Sequence, residues 1–219
     1  AEECSYIIGN PPVVGARMME QGGQQKQDIE NLFGKIKDVQ DLDYVSGWYF
    51  KASAYMSKTN TKAAFVSTNS ICQGSQVPIL WGQLFERFNI EINFAHQTFR
   101  WDSEASAKAH VYVVIVGFKQ AQENNSETKR LFLYSSAKAE PSPISPEYIN
   151  PYLLPVRSEF VVAHKEALCD VPKMSMGNME RGNGKLFLKK DELDEVLLKE
   201  PSLKEFIHPL IGAEEFLKG

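Results

Sequence analysis

The sequence is short of the residues that build covalent or metal-held scaffolds. Its three cysteines, Cys4, Cys72 and Cys169, are far apart and odd in number, which argues against a disulfide framework. There are four histidines, with no Cys-x-x-Cys and no His-x-x-x-His spacing, so no metal site is expected. No apolar run is long enough to span a bilayer, and the N-terminus lacks the charged-then-apolar pattern of a signal peptide. The protein is therefore read as cytoplasmic, with no membrane partner. Internal repeats and low-complexity tracts are missing too. A formal net charge of -4 argues against a strongly basic nucleic-acid wrapper, although a basic field on one face would suffice for DNA contact.

What remains is an ordinary globular composition, 43% hydrophobic and 24% charged, in 219 residues that can bury a full core. The stretch that organises the chain comes almost at its start. An apolar run, Tyr6-Ile-Ile8, stops at Gly9-Asn10-Pro11-Pro12-Val13, which reads as a buried strand ending in a loop at its carboxyl end. In an open α/β sheet that is the edge where ligands bind. The amide oxygen of Asn10 and the main-chain carbonyl of Pro11 are suited to accept both hydrogens of an exocyclic amino group and to aim its lone pair at an electrophile. The prolines stiffen the loop that carries them.

The chain then reads as strand, helix, strand, helix, hairpin. Residues 18 to 58 are helical: Asp28 to Ile36 is amphipathic and ends near Gly34, and after Asp41 or Asp43 as an N-cap a second helix places Tyr44, Val45, Trp48, Tyr49, Ala52 and Tyr55 at helical spacing. Trp48 and Tyr49 are read as core. Lys62 to Ser70 is the second strand, parallel to the first, so that Ser67, Thr68, Asn69 and Ser70 fall beside Asn10. Gly74 to Arg87 is a helix with Pro78 in its first turn, where proline is tolerated. Ile90 to Trp101 and His110 to Phe118 form an antiparallel hairpin at the sheet's edge, carrying His96, Phe99, Arg100 and Trp101. Lys129 to Ser135 reads as one more edge strand and Ala137 to Pro146 as a Pro/Ser-rich connector, which places the domain boundary between 137 and 138. Beyond it, turn-rich chain with a short strand at Phe160-Val-Val-Ala leads to a charged helix, Lys189 to Lys199, and a short helix, Ser202 to Ile207.

Several motifs in order carry a family resemblance. Asn10-Pro-Pro, then Asp43-Tyr44-Val45-x-x-Trp48-Tyr49, then Ala64 to Ser70-Ile71-x-Gln73-Gly74, then Phe94-Ala95-His96-x-Thr98-Phe99-x-Trp101 resemble the adenine-specific DNA methyltransferase segment of large bifunctional restriction–modification enzymes of the type IIG and type IIL kind. Asn150-Pro-Tyr-Leu, Cys169-Asp-Val-Pro, Gly177-Asn-Met and Ile211-Gly-Ala-Glu-Glu-Phe are similar to the start of the target-recognition region that follows it in that family.

The resemblance implies a partial Rossmann-like, class I S-adenosylmethionine-dependent methyltransferase sheet with a terminal antiparallel hairpin over 1–137, followed by an irregular α+β segment over 138–219. It implies methyl transfer from S-adenosylmethionine to the exocyclic nitrogen of an adenine flipped out of double-stranded DNA. Asn10, Pro11 and Pro12 match the catalytic tetrapeptide, and Phe99 and Trp101 match the aromatic loop that holds the extruded base. Val13, Ser67 and Asn69 complete the expected substrate side.

Two departures from the family pattern stand out. The fourth tetrapeptide position is Val13 in place of Tyr or Phe, which removes one stacking face, worth about 1–3 kcal/mol. The family's Gly-rich cofactor turn and acidic ribose ligand lie upstream of Asn10, where this sequence has only nine residues, so no cofactor contact is assigned here. The chain is expected to be part of something longer and inactive by itself. No metal-dependent nuclease motif is visible. A rival reading is a non-catalytic DNA-binding or subunit-docking module that self-associates through the open edge of the first strand. A third, methylation of RNA or protein, uses the same Asn-Pro-Pro chemistry.

Overall fold

In the computed structural model, residues 4–102, 110–122, 127–162, 164, 166–172 and 187–212 are described. They fall into two units, Ala1–Lys165 and Glu166–Gly219.

The first unit is a six-stranded sheet in the order β1-β2-β4-β3-β5-β6. Its strands are β1 (Tyr6–Gly9), β2 (Lys62–Thr68), β3 (Ile90–Asp102), β4 (His110–Gln120), β5 (Arg130–Leu133) and β6 (Ser142–Ile144). Its helices are α1 (Gln24–Phe33), α2 (Ser46–Met56) and α3 (Gln76–Phe88). β1 and β2 pair in parallel, with Gly9 opposite Phe65, and both helices between them are needed to carry the chain back. β4 inserts antiparallel between β2 and β3, so β2 and β3 point the same way. The carboxyl ends of β1, β2 and β3 therefore share one edge.

Alternation decides which side chains of β2 go inside. Ala63, Phe65 and Ser67 are buried while their neighbours are half-buried, the period of two of a strand. The core forms around Tyr49 of α2, whose ring stacks on Phe118 at 5.1 Å and meets Phe65 and Trp81 edge-on at 5.2 and 5.6 Å. Aromatic pairs of this geometry add about 0.5–1.5 kcal/mol each beyond area burial. The indole of Trp81 satisfies its one donor on the carbonyl of Ile71 at 2.9 Å. Tyr49 is core, as its spacing predicts; Trp48 is only partly buried.

The helix ends are closed by identifiable groups. α1 stops at Gly34, whose φ of 79° lets its N–H return to the carbonyl of Glu30 at 2.8 Å. Arg87, in the last turn of α3, donates to the carbonyl of Phe33 at 3.1 Å, so one cation completes the end of α1 while its guanidinium lies over Phe50. α3 ends at Asn89 in the left-handed region, its N–H on the carbonyl of Phe85.

The sheet continues past the hairpin. β5 pairs in parallel with β3, and β6 pairs antiparallel with β5 through Ser142, Pro143 and Ile144. Part of the stretch read as a Pro/Ser-rich connector is thus an edge strand, short and proline-bearing as edge strands tend to be. The chain that follows stays with this unit: Ile149, Asn150 and Leu153 are buried, and the Asn150 carboxamide accepts the N–H groups of Tyr152 and Leu154 at 3.0 and 2.9 Å. The short strand expected at Phe160 does not form over 160–162; Phe160 instead packs its ring toward Phe85 at 5.9 Å.

The second unit holds α4 (Lys190–Lys199) and a 3-10 turn over Pro201–Phe206. Glu192 accepts the N–H of Lys189 at 3.0 Å and, with Asp191, places negative charge in the first turn of α4, with Lys199 in the last. The motif Gly177-Asn-Met and residues 213–216 of the closing motif lie outside the described residues. Among the described residues no helix is long and apolar enough to cross a membrane.

Candidate functional site

Asn10 follows the last residue of β1 and is exposed; Pro11 beside it is buried and Pro12 exposed. No hydrogen bond to the Asn10 amide comes from any described residue, so its oxygen stays free for a ligand. Asn10, Pro11 and Pro12 form one side of a cavity of about 520 Å³ walled by Gly9, Trp48, Lys51, Tyr55 and Phe65. Val13 is 42% exposed at the mouth of the loop.

The loop then turns back over the start of α2. Tyr44 donates its N–H to the carbonyl of Val14 at 2.9 Å, and the Ala16 N–H donates to Asp43 Oδ1 at 2.8 Å. Asp43 therefore does not cap α2 through its side chain. Its second carboxylate oxygen accepts the Ser70 hydroxyl, which also pairs with Thr68 Oγ1 at 2.8 Å. Gly15, Ala16, Arg17, Asp41, Asp43, Ser70, Gln73 and Gln76 line a second cavity of about 590 Å³. Gln73 also borders a third, of about 240 Å³, with Cys72, Gln97, Thr98, Tyr152 and Leu153. The second and third cavities meet at Gln73, while the cavity beside Asn10 shares no lining residue with either.

Toward the end of β3 the aromatic residues form a stack that takes in Phe132 and Tyr134 as well as Phe99 and Trp101. Phe99 lies on Tyr134 at 5.2 Å with 15° between the rings, and Trp101, 46% exposed, leans on Phe99 at 6.2 Å. His96 stacks on Phe132 at 4.2 Å and its Nδ1 is 2.7 Å from the Tyr134 hydroxyl. Partial burial holds the His96 imidazole below its ordinary value. A register shift between His96 and Phe99 re-aims this segment relative to β4. Phe132 and Tyr134 went unnoticed because only the pairing of β5 with β3 brings them there; their spacing of two along an apolar run was the available signal.

Asn69 is half-buried at the start of the 3-10 turn Asn69–Cys72, on the same edge as Asn10. Ser67 faces the other way. It is fully buried, and its hydroxyl is 2.9 Å from that of Tyr49. The structure therefore brings Asn10, Pro11, Pro12, Val13 and Asn69 to the carboxyl ends of β1 and β2, and Phe99 with Trp101 to that of β3. β2 and β4 lie between β1 and β3 in the sheet, so the Asn10 loop and the Phe99–Trp101 segment must both lean over the edge to meet one ligand.

Comparison with known proteins decides the family. Residues 1–133 match the DNA-methyltransferase domain of MmeI, and residues 155–219 match the MmeI target recognition domain. The chain belongs to the MmeI DNA-methyltransferase family. It is 38% identical over 214 residues to DNA methyltransferase A of Bacillus subtilis (strain 168), covering 98% of this chain and 23% of that protein. A solved structure of the type IIL restriction-modification enzyme MmeI in complex with DNA superposes with a TM-score of 0.86 at 38% identity, covering 97% of this chain and 28% of that one. The chain thus spans roughly a quarter of the length of either relative. The likeness extends over both units, and the expected α/β sheet with its antiparallel hairpin is the fold of this family.

Proposed function

We propose that these residues supply the target-base half of a DNA adenine-N6 methyltransferase of a restriction–modification system, working in the cytoplasm on double-stranded DNA. The observation that carries this reading is the free Asn10 amide at the carboxyl end of β1, next to a proline-stiffened carbonyl, in a chain of a DNA-methyltransferase family. In this reading Asn10 Oδ1 and the Pro11 carbonyl accept the two amino hydrogens of an extruded adenine, and Pro12 fixes the loop. Phe99, backed by Tyr134, and Trp101 hold the face of the base that Val13 cannot stack on. Asn69 borders the same edge, and Ser67 supports it from beneath through Tyr49.

S-adenosylmethionine is the methyl donor in this reading, supplying an electrophilic methyl group. The cavity beside Asn10 offers apolar walls and the Lys51 ammonium, but among the described residues no carboxylate for a ribose. These residues do not fit the cofactor by themselves, so its main contacts are assigned to no residue of this chain. The 219-residue chain alone is accordingly inactive.

Calorimetry with S-adenosylmethionine tests this, on the chain alone and on a longer protein carrying an upstream region. Binding by the longer protein only is the expected result. Tight binding by this chain would place the cofactor site elsewhere and refute the division of labour.

One observation favours a second reading, a docking module. Among the described residues β1 pairs with β2 alone, and Tyr6 and Ile8 on it are 65% and 80% exposed. Sedimentation of this chain separates the two: concentration-dependent self-association abolished by Ile8→Lys would support docking.

A further inference from the structure

We infer that Asp43 is a positioning residue for methyl transfer: its carboxylate fixes the backbone of the loop that presents Asn10 and Pro11. The inference rests on the function proposed above.

Asp43 is only 5% exposed, and a buried carboxylate is tolerated only when its lone pairs are taken up. Here they are taken up by one partner on the loop and one at the end of β2. Oδ1 receives the Ala16 N–H at 2.8 Å, and Oδ2 receives the Ser70 hydroxyl. The backbone of the same residue is held as well, its N–H on Gln76 Oε1 at 3.1 Å and its carbonyl on the Ser46 N–H at 3.0 Å. Its neighbour Tyr44 donates to the carbonyl of Val14 at 2.9 Å. The loop is therefore clamped at two points two residues apart, while the buried Pro11 anchors its other end.

A residue needed only to start α2 would direct its carboxylate at that helix's own N–H groups. Asp43 directs it away from the helix, at the loop and at Ser70. Bonds to an ionised acceptor are roughly twice as strong as neutral ones, so this contact resists displacement of the loop. What it controls is the placement of two acceptors that must both meet one amino group. A misplacement of about 1 Å in such a pair costs about 100-fold in rate.

The test uses Asp43→Asn, Asp43→Ala and Ser70→Ala in the longer protein, with single-turnover methylation and separate titrations of DNA and S-adenosylmethionine. Asp43→Ala is expected to slow the single turnover about 100-fold with both affinities unchanged. Asp43→Asn keeps an acceptor for Ala16 and is nearly isosteric, so it folds and loses less rate. Ser70→Ala loses less still. In the 219-residue chain, the Ala16 amide proton should move upfield in Asp43→Ala and stay in place in Ser70→Ala. An unchanged turnover rate in both Asp43 variants overturns the inference, as does a loss of rate matched by an equal loss of folded protein. An Ala16 amide that ignores Asp43→Ala overturns the clamp itself. A wild-type longer protein that transfers no methyl group overturns the proposed function instead, and the amide shift tells the two failures apart.

Discussion

The ring of Phe94 lies across Gly117 on the neighbouring strand, so close that a Cβ added to the glycine would stand 2.9 Å from Phe94 Cδ1 and 3.0 Å from its Cβ. The ring needs a residue without a side chain beneath it, because Phe94 Cβ is fixed to the strand and cannot swing away. Gly117→Ala is expected to destabilise the chain by about 1–3 kcal/mol, the usual cost of overpacking. Urea denaturation measures it, and Phe94→Ala in the same background should relieve part of the loss.

The buried hydroxyl pair of Tyr49 and Ser67 gives a second prediction. Tyr49→Phe leaves the Ser67 hydroxyl without its partner in the core, and Ser67→Ala does the converse to the phenol. Each single change should cost about 1–3 kcal/mol, and the double variant less than their sum, since an unpaired buried group costs more than a missing pair. Melts of the three variants complete the cycle. Burial also raises the Tyr49 phenol well above its ordinary value.

At the opposite end of the sheet, Glu127 receives Lys119 Nζ at 2.5 Å and Lys62 Nζ at 2.6 Å, and Lys119 also faces Glu91 at 3.7 Å. The hydrogen bond from Lys119, then that from Lys62, lowers the Glu127 carboxyl to about 2. A carboxyl depressed in the folded state stabilises fully above its unfolded value near 4.5 and loses that contribution as pH falls toward 2. The melting temperature should therefore drop between pH 5 and pH 2, and Glu127→Gln should flatten the drop. Salt should weaken the effect, because the Glu127 side chain is 41% exposed.

Phe99→Ala in the longer protein removes the ring proposed to face the extruded base. The loss of stacking, about 1–3 kcal/mol, should slow methylation roughly 5- to 150-fold, and the lost stack on Tyr134 should lower the melting temperature modestly with the protein still folded at the assay temperature. Tyr134→Ala should give part of the same loss by removing the ring behind Phe99. A methylation time course checks both.

Much of this was legible in the chain, and the exceptions have physical reasons. The apolar run ending at Asn10 and the alternation in Lys62 to Thr68 placed both strand ends at one edge; burial imposes the period on β2, whereas β1, read as a buried strand, leaves Tyr6 and Ile8 exposed because it lies at the end of the strand order. The same alternation put Ser67 on the face of Ala63 and Phe65, inward, a sign that its hydroxyl points away from the edge. β6 escaped because three residues with a proline have no intrinsic strand preference; β5 recruits them. Asp43 stood where an N-cap belongs, and only the folded loop shows that Ala16 and Ser70 outcompete the helix for its carboxylate. Tyr134 acquired a place beside Phe99 through a parallel pairing that no local pattern encodes.

The central claim is that Asn10 orients an adenine amino group, and the most direct measurement is the chemical position of the transferred methyl group. The longer protein, wild type and Asn10→Ala, would be incubated with S-adenosylmethionine and duplex DNA, and the nucleosides of the digested DNA resolved by mass spectrometry. The account predicts N6-methyladenine with the wild type, and none with Asn10→Ala although the cofactor still binds. Methylation on cytosine, or N6-methyladenine formed equally well by Asn10→Ala, would contradict it.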